Sequence, residues 1–243
     1  MFVGDAIAHP QDEFCGPDSG LDPLLCQQLS EIDRSFGTGF KSLLNAQGEV
    51  RSPLNSALYF GKIGIQHILP GGLDHILFVL ALFFVAKTMR RLIIQISVFT
   101  VAHTVTLALT AANVIEPPAS IVEPLIALSI AVIALEVFLK QSYFKWRLAV
   151  IFGFGLFHGM GFAGFIKEIG LPTEQFWPSL IGFNIGVELG QLAVVFAAAL
   201  LAWPIKGILA KTDLSYRKAV VIPSSLIITG IGVWWFIARI FGL

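Results

Sequence analysis

Histidine and acidic residues interrupt several long apolar segments of this sequence. Counted at 1.5 Å of helical rise per residue, His75, His103, His158 and Glu188 lie at nearly one depth in four different segments, roughly 15–18 Å from the segment ends. Asp74 directly precedes His75. Ionisable side chains are costly in hydrocarbon, so they mark functional sites in membrane proteins. Imidazole and carboxylate groups together suit nickel, cobalt, zinc or iron, and these five residues are therefore the predicted metal ligands.

Two polar stripes accompany the predicted ligands. One lies on a single face of the fifth apolar segment at i, i+4 and i+7, and it consists of Asn184, Glu188 and Gln191. A weaker one surrounds His103 and consists of Ser97, Thr100 and Thr104. Asn184 and Gln191 are predicted to support the ligands, and Asp74 is an alternative partner that orients a histidine without binding metal.

The elements that carry these residues are apolar and helical. Hydrophobic residues make up 56% of the chain and charged residues 13%, whereas a soluble domain carries about a quarter charged residues. Predicted spans lie near 72–87, 91–113, 118–140, 147–168, 175–203 and 218–241, and the first of them is short. The sequence therefore predicts an all-α, polytopic transmembrane bundle of about six helices, with the lipid bilayer as its environment.

The first span is preceded by an apolar stretch and a predicted helix breaker. Residues 57–69 are apolar, and Pro70-Gly71-Gly72 separates them from the span itself. The pattern predicts a broken first helix, either as a re-entrant half-helix or as a kinked lead-in to the span. His67 lies just before the break and is predicted to be an entrance ligand or a supporting residue.

Charge divides the chain into two parts and orients it. Residues 1–52 hold eight acidic and three basic residues and form a predicted extracytoplasmic arm, whereas residues 53–243 form the transmembrane domain. Lysine and arginine concentrate after the first, third and fifth spans. The positive-inside rule then predicts a bacterial inner-membrane protein with both termini outside the cytoplasm. The basic residues form no patch with aromatic partners, so nucleic-acid binding is not expected.

The two cysteines, Cys15 and Cys26, lie in the predicted extracytoplasmic arm. An oxidising compartment and their separation favour a disulfide between them, with two free thiols as the alternative. Residues 1–30 lack the apolar core of a signal peptide, although Ala6-Ile7-Ala8 resembles a cleavage site. A longer precursor and a tail that crosses without a signal both stay open.

Four segments of the sequence resemble the HupE/UreJ family, and in particular its second branch of bacterial membrane proteins. They are residues 64–75, 99–104, 152–163 and 182–191, and the similarity extends over about 57–241. The resemblance implies a nickel or cobalt permease with His67, Asp74 and His75 on the metal path. It also links the chain to the nickel supply of hydrogenase and urease.

The sequence departs from the nickel-permease pattern at two places. Six residues separate His67 from Asp74, where that pattern has five. After His158-Gly159, Phe162 and Phe165 stand at the positions of a histidine and a glutamate. His103 and Glu188, from other helices, are the candidates to replace those ligands.

Three functions agree with these features. The favoured interpretation is a secondary transporter of Ni²⁺ or Co²⁺, which would bind its ion loosely and would not be an enzyme. The second is an intramembrane zinc or iron hydrolase that acts on a lipid or a membrane-anchored substrate and retains its metal. The third is a metal-delivery or assembly partner of a membrane complex. The sequence leaves a homo-oligomer or a complex partner open.

Overall fold

The computed structural model describes residues 50–139, 144–162 and 172–243. Its seven helices are α1 (Pro53–Gln66), α2 (Leu73–Val85), α3 (Met89–Ala111), α4 (Ala119–Leu135), α5 (Phe144–Gly161), α6 (Phe176–Leu209) and α7 (Ile222–Phe241). Short helical turns flank them at His67–Gly71, Glu136–Phe138, Thr173–Gln175 and Arg217–Val221. No strand occurs in these three ranges. Cys15, Cys26 and nearly all of the predicted arm lie outside the described residues, so the disulfide and the domain boundary stay predictions.

Helix ends coincide with residues that satisfy free backbone groups. Ser52 caps α1 by accepting a hydrogen bond from a first-turn N–H at 3.3 Å, and Pro53 occupies the first helical position. Thr88 caps α3 in the same way, at 3.3 Å. Gly242 ends α7 with φ of 67°, a left-handed conformation that glycine adopts without strain. Local sequence therefore defines these boundaries.

The predicted break in the first helix is confirmed. A π-helical turn, His67–Gly71, separates α1 from α2, and the two helices are bent by 78° relative to one another. The Leu69–Pro70 peptide bond in this turn is cis. Only glycine fits at position 72, because a Cβ atom there would lie 2.6 Å from the carbonyl oxygen of His67.

Helix length and hydropathy support the predicted membrane bundle. Four of the described helical segments are long and apolar enough to cross a membrane, namely α3, Ala119–Phe138, α6 and Arg217–Phe241. The bent pair α1–α2 makes a fifth crossing when it is counted as one span. Helix α5 packs against α3 and α4. The architecture thus agrees with the prediction of about six helices around a broken first helix.

The start of α1 lies near the start of α6, and the end of α2 lies near the end of α6. Next to the start of α6, Gln175 accepts a short hydrogen bond from Ser56 and donates another to the carbonyl oxygen of Arg51 at 2.5 Å. At the far end, Lys87 lines one cavity together with Lys206. The pair therefore runs along most of α6, which favours a broken crossing over a re-entrant hairpin.

Helices α1 and α6 are parallel and pack through glycines. Contacts follow the same order along both helices, with Gly182 against Ala57 and Gly186 against Gly61. A Cβ atom at Gly186 would lie 2.0 Å from the carbonyl oxygen of Gly61, so the two backbones touch directly. Small residues allow this approach in membrane helices, where van der Waals packing stabilises association.

The other two main pairs have directions that fit an alternating bundle. Helices α3 and α5 are parallel, since Gly155 lies against Phe99 and Gly159 against His103. Helices α4 and α7 are antiparallel. Arg217, before α7, donates to Val137 O at 2.6 Å, whereas Arg239, near its end, donates to the carbonyl oxygen of Glu123 at 2.9 Å. Six alternating crossings produce this set of directions.

Candidate metal centre

Four histidines converge in the interior, and each comes from a different element. His67 lies in the turn at the break, His75 in the first turn of α2, His103 in the middle of α3 and His158 near the end of α5. The ring centre of His75 lies 4.8 Å from that of His67, 4.8 Å from that of His158 and 5.7 Å from that of His103. His75 is therefore the centre of the cluster, which we call the imidazole cluster.

The ligand atoms of this cluster form two overlapping groups of three. In one group the atoms belong to His67, His75 and His103, and in the other they belong to Asp74, His75 and His158. Within each group the atoms lie within 4.8 Å of one another. Tetrahedral ligand atoms around a transition-metal ion are about 3.4 Å apart, so either group can close on one ion through small side-chain movements.

Asp74 orients the central histidine. Its Oδ1 accepts a hydrogen bond from the backbone N–H of His75 at 2.8 Å and lies 3.0 Å from the ring Nδ1 of the same residue. This leaves Nε2 of His75 buried and without a hydrogen-bond partner among the described residues. A carboxylate on one nitrogen and an open second nitrogen is the arrangement of metal-binding histidines. Asp74 also lies in the first turn of α2, where the helix dipole stabilises negative charge.

Ser129 holds His158 from the neighbouring helix α4. The serine Oγ lies 3.0 Å from Nε2 of His158 and donates to the carbonyl oxygen of Ile126 at 2.6 Å. Nδ1 of His158 has no hydrogen-bond partner in the part of the chain that the structure describes. Gly159 brings the backbones of α5 and α3 together at this depth, because a Cβ atom there would lie 2.3 Å from the carbonyl oxygen of His103.

Phenylalanine rings enclose the imidazoles. Phe162 lies 4.1 Å from the His67 ring, Phe99 lies 4.9 Å from the His158 ring, and Phe78 lies 5.3 Å from the same ring. His103 and His158 are 0% and 1% exposed. Because these two imidazoles are buried, a cation beside them depends on the nitrogen and oxygen ligands for its stabilisation. Phe162, which stands where the permease pattern has a histidine, thus forms part of the wall.

The acidic and amide residues of α6 occupy the side of the cluster that faces α3. Glu188 Oε1 accepts a hydrogen bond from Ser97 Oγ at 2.6 Å, and Gln191 Oε1 accepts one from Thr100 Oγ1 at 3.1 Å. Asn184 donates to the carbonyl oxygen of Leu180 at 2.8 Å, and its Oδ1 is buried without a hydrogen-bond partner among the described residues.

Glu188 belongs to neither group of three ligands, whereas His67, predicted at the entrance, belongs to one of them. Ser129 was not among the predicted site residues, although it is a hydroxyl in the middle of the third apolar segment, 118–140. Metal binding by any of these residues stays a prediction.

Comparison with known proteins identifies the family. Neither the curated proteins nor the solved structures gave a match. The family model described as HupE / UreJ protein matches residues 45–239, about four-fifths of the chain. This family is linked in general to nickel and cobalt transport. The chain therefore belongs to the HupE/UreJ family of membrane proteins.

Proposed function

We propose that this chain is a secondary transporter of a divalent transition metal, with Ni²⁺ or Co²⁺ as its cargo. The observation that carries the proposal is the imidazole cluster, in which ligands from α2, α3, α5 and the turn at the break meet inside the bundle. Neutral imidazole nitrogens suit nickel, cobalt and zinc. The family link to nickel and cobalt transport supports the first two metals.

The overlap between the two groups of ligands supports movement of the ion. His75 belongs to both groups. An ion held by His67, His75 and His103 reaches the second group by exchanging two ligands for Asp74 and His158 while His75 stays bound. Because no step leaves the ion without protein ligands, the large cost of a bare cation in an apolar interior is avoided. Such an exchange suits a transported ion better than a single closed site.

The break in the first helix lies where transporters commonly place their ion sites. Discontinuous helices contribute freed backbone groups and side chains near the bilayer midplane in many transporters. Here His67 lies before the break and His75 after it, within one cluster. Irregular backbone at membrane depth is tolerated where protein or water satisfies it.

We further propose that both termini lie outside the cytoplasm of a bacterial cell. The basic residues at one end of the bundle support this orientation. Lys87 and Lys206 line one cavity at the end of α6, and Arg90 and Arg91 follow at the start of α3. Lysine and arginine accumulate on the cytoplasmic side of membrane proteins.

A metal-dependent hydrolase is the second candidate, and one feature favours it. The two contacts from Asp74 fix the ring of His75, and this arrangement is typical of sites that retain zinc. A retained ion with an open position would activate water. The metal content of the purified protein separates this candidate from a transporter, which must release its ion.

The test combines metal content with transport. The full chain is purified in detergent without added metal and analysed by elemental mass spectrometry, and uptake of Ni²⁺, Co²⁺ and Zn²⁺ is then measured in proteoliposomes. We expect little retained metal and Ni²⁺ or Co²⁺ uptake that falls by about tenfold or more in His75→Ala and His103→Ala. Thr110→Ala, two turns beyond His103 on α3, is the matched control and should transport like the wild type. Stoichiometric zinc or iron together with no uptake would favour the hydrolase.

A further inference from the structure

Helices α3 and α6 are joined by two hydrogen bonds beside the imidazole cluster. Ser97 Oγ donates to Glu188 Oε1 at 2.6 Å, and Thr100 Oγ1 donates to Gln191 Oε1 at 3.1 Å. On each helix the two residues are three positions apart, so they lie on consecutive turns of one face. We call these four residues the oxygen seam. The two polar stripes of the sequence thus meet as a single polar contact.

Glu188 is partly buried, and its surroundings differ from those of two other partly buried carboxylates, Asp74 and Glu136. Asp74 lies next to the imidazole of His75, and Glu136 accepts hydrogen bonds from Arg147 Nε at 2.7 Å on both oxygens. No described lysine, arginine or histidine forms an ion pair with Glu188, whose partner is a neutral hydroxyl. A carboxylate among apolar helices is costly without a compensating charge, so the position favours a bound cation.

A second polar group in the seam also lacks a partner. Gln191 is 1% exposed, and its Nε2 makes no hydrogen bond within the described residues. Buried amide groups nearly always find a partner in the protein or in ordered water. Nε2 is a donor and does not bind a cation, so the group of Gln191 that can do so is its oxygen Oε1, which Thr100 holds in place.

The seam continues directly from the imidazole cluster. Thr100 is three residues before His103 on α3, a rise of about 4.5 Å along the helix. On α6, the ring centre of Phe183 lies 5.9 Å from that of His67, and Phe183 is five residues before Glu188. The two sites are therefore neighbours along both helices. An ion that leaves His103 meets the oxygens of the seam next.

We propose that Ser97, Thr100, Glu188 and Gln191 form a second cation site, built only from oxygen ligands, which holds a divalent metal ion on its way to or from the imidazole cluster. The inference rests on the proposed transport function. Carboxylate, hydroxyl and amide oxygens suit Mg²⁺, Ca²⁺ and Mn²⁺, and they hold nickel and cobalt less tightly than imidazole does. A weaker site next to a stronger one promotes release, because the ion exchanges its tight nitrogen ligands for weaker oxygen ligands.

The test uses Mn²⁺, which favours oxygen ligands and is detected by electron paramagnetic resonance. Mn²⁺ is titrated into the detergent-purified full chain. In Glu188→Gln we expect the Kd for Mn²⁺ to rise by about tenfold or more, whereas in His103→Ala it should stay within about threefold of the wild type. Ser97→Ala should raise the Kd by a smaller factor and guards against a folding defect in the first variant. Glu123→Gln removes an exposed carboxylate at the start of α4 and is the matched control.

Uptake and cobalt binding complete the test. In Glu188→Gln, Ni²⁺ uptake into proteoliposomes should slow by about tenfold, while the affinity of the imidazole cluster for Co²⁺, measured by visible absorption, changes by less than about threefold. Equal Mn²⁺ binding in the wild type and Glu188→Gln would overturn the second site and leave transport untouched. If Mn²⁺ binding depends on Glu188 but the wild type takes up no Ni²⁺, the transport function would be overturned and the oxygen site would stand.

Discussion

Replacement of Gly186 by alanine should separate α1 from α6. A Cβ atom at this position would lie 2.0 Å from the carbonyl oxygen of Gly61, 2.8 Å from its carbonyl carbon and 3.0 Å from the backbone nitrogen of Ile65. All three atoms belong to the backbone, so no side chain can rotate to make room. Ordinary van der Waals contacts begin at about 3.4 Å, and the helices must therefore move apart by about 1.4 Å at this point.

The energetic cost follows from overpacking. Inserting a methyl group into a closely packed contact costs about 1–3 kcal/mol, which corresponds to a fall in Tm of about 3–10 °C for a chain of this size. The movement also displaces the end of α1, where His67 follows within the next turn. We therefore expect Gly186→Ala to lower both the thermal stability in detergent and the affinity for Ni²⁺.

Gly207→Ala is the matched control for this prediction. It lies on the same helix, and a Cβ atom at Gly207 has no neighbour within 4 Å. Thermal unfolding followed by tryptophan fluorescence, together with calorimetric titration of Ni²⁺, compares the two variants with the wild type. The backbone contact between α1 and α6 would be refuted if Gly186→Ala unfolded at the same temperature as Gly207→Ala.

Three further substitutions test other contacts of the site and the bundle. Asp74→Asn should lower Ni²⁺ affinity by about 10–100-fold in calorimetry, because it weakens the acceptor that orients the central imidazole. The helical circular dichroism should not change, and an unchanged affinity would show that this carboxylate is dispensable. Ser129→Ala should weaken Ni²⁺ binding by less than about tenfold, since it removes one neutral hydrogen-bond partner, worth about 1 kcal/mol, from His158. Arg147→Met should lower the free energy of unfolding by about 3–5 kcal/mol, because it leaves the carboxylate of Glu136 uncompensated. Combining it with Glu136→Gln should restore most of that loss, and a strictly additive double variant would contradict a coupled ion pair.

Counting residues along the spans could predict that histidines from different helices lie level with one another, but it could not predict direction around the helix axis. His75, His103 and His158 were placed at one depth from the sequence, and the structure brings their rings together. Glu188 was placed at that depth as well, yet it belongs to neither group of ligands, and its carboxylate accepts a hydrogen bond from Ser97 instead. Depth depends only on rise per residue, whereas side-chain direction depends on how neighbouring helices rotate and cross.

The position of His67 could not be predicted for a different reason. The sequence indicated the break but not its angle, and the bend of 78° together with the π-helical turn decides where the residue before the break points. The glycines of α6 can be read from the sequence, but their packing role depends on a partner more than one hundred residues away. Gly182 and Gly186 allow close backbone contact only because α1 lies parallel to α6.

The parallel contact between α1 and α6 also determines which parts of the metal centre can move relative to one another. The backbones of α1 and α6 are in contact at Gly64, on α1, and at Gly186, on α6. Such close packing opposes sliding and rotation of one helix against the other. Helix α2 begins after the break at Gly72 and is bent by 78° from α1. His67 lies on the α1 side of the bend and His75 on the α2 side, so the angle between the two helices sets the distance between the two rings. The angle of the bend thus determines whether the ligands before and after the break can bind one ion.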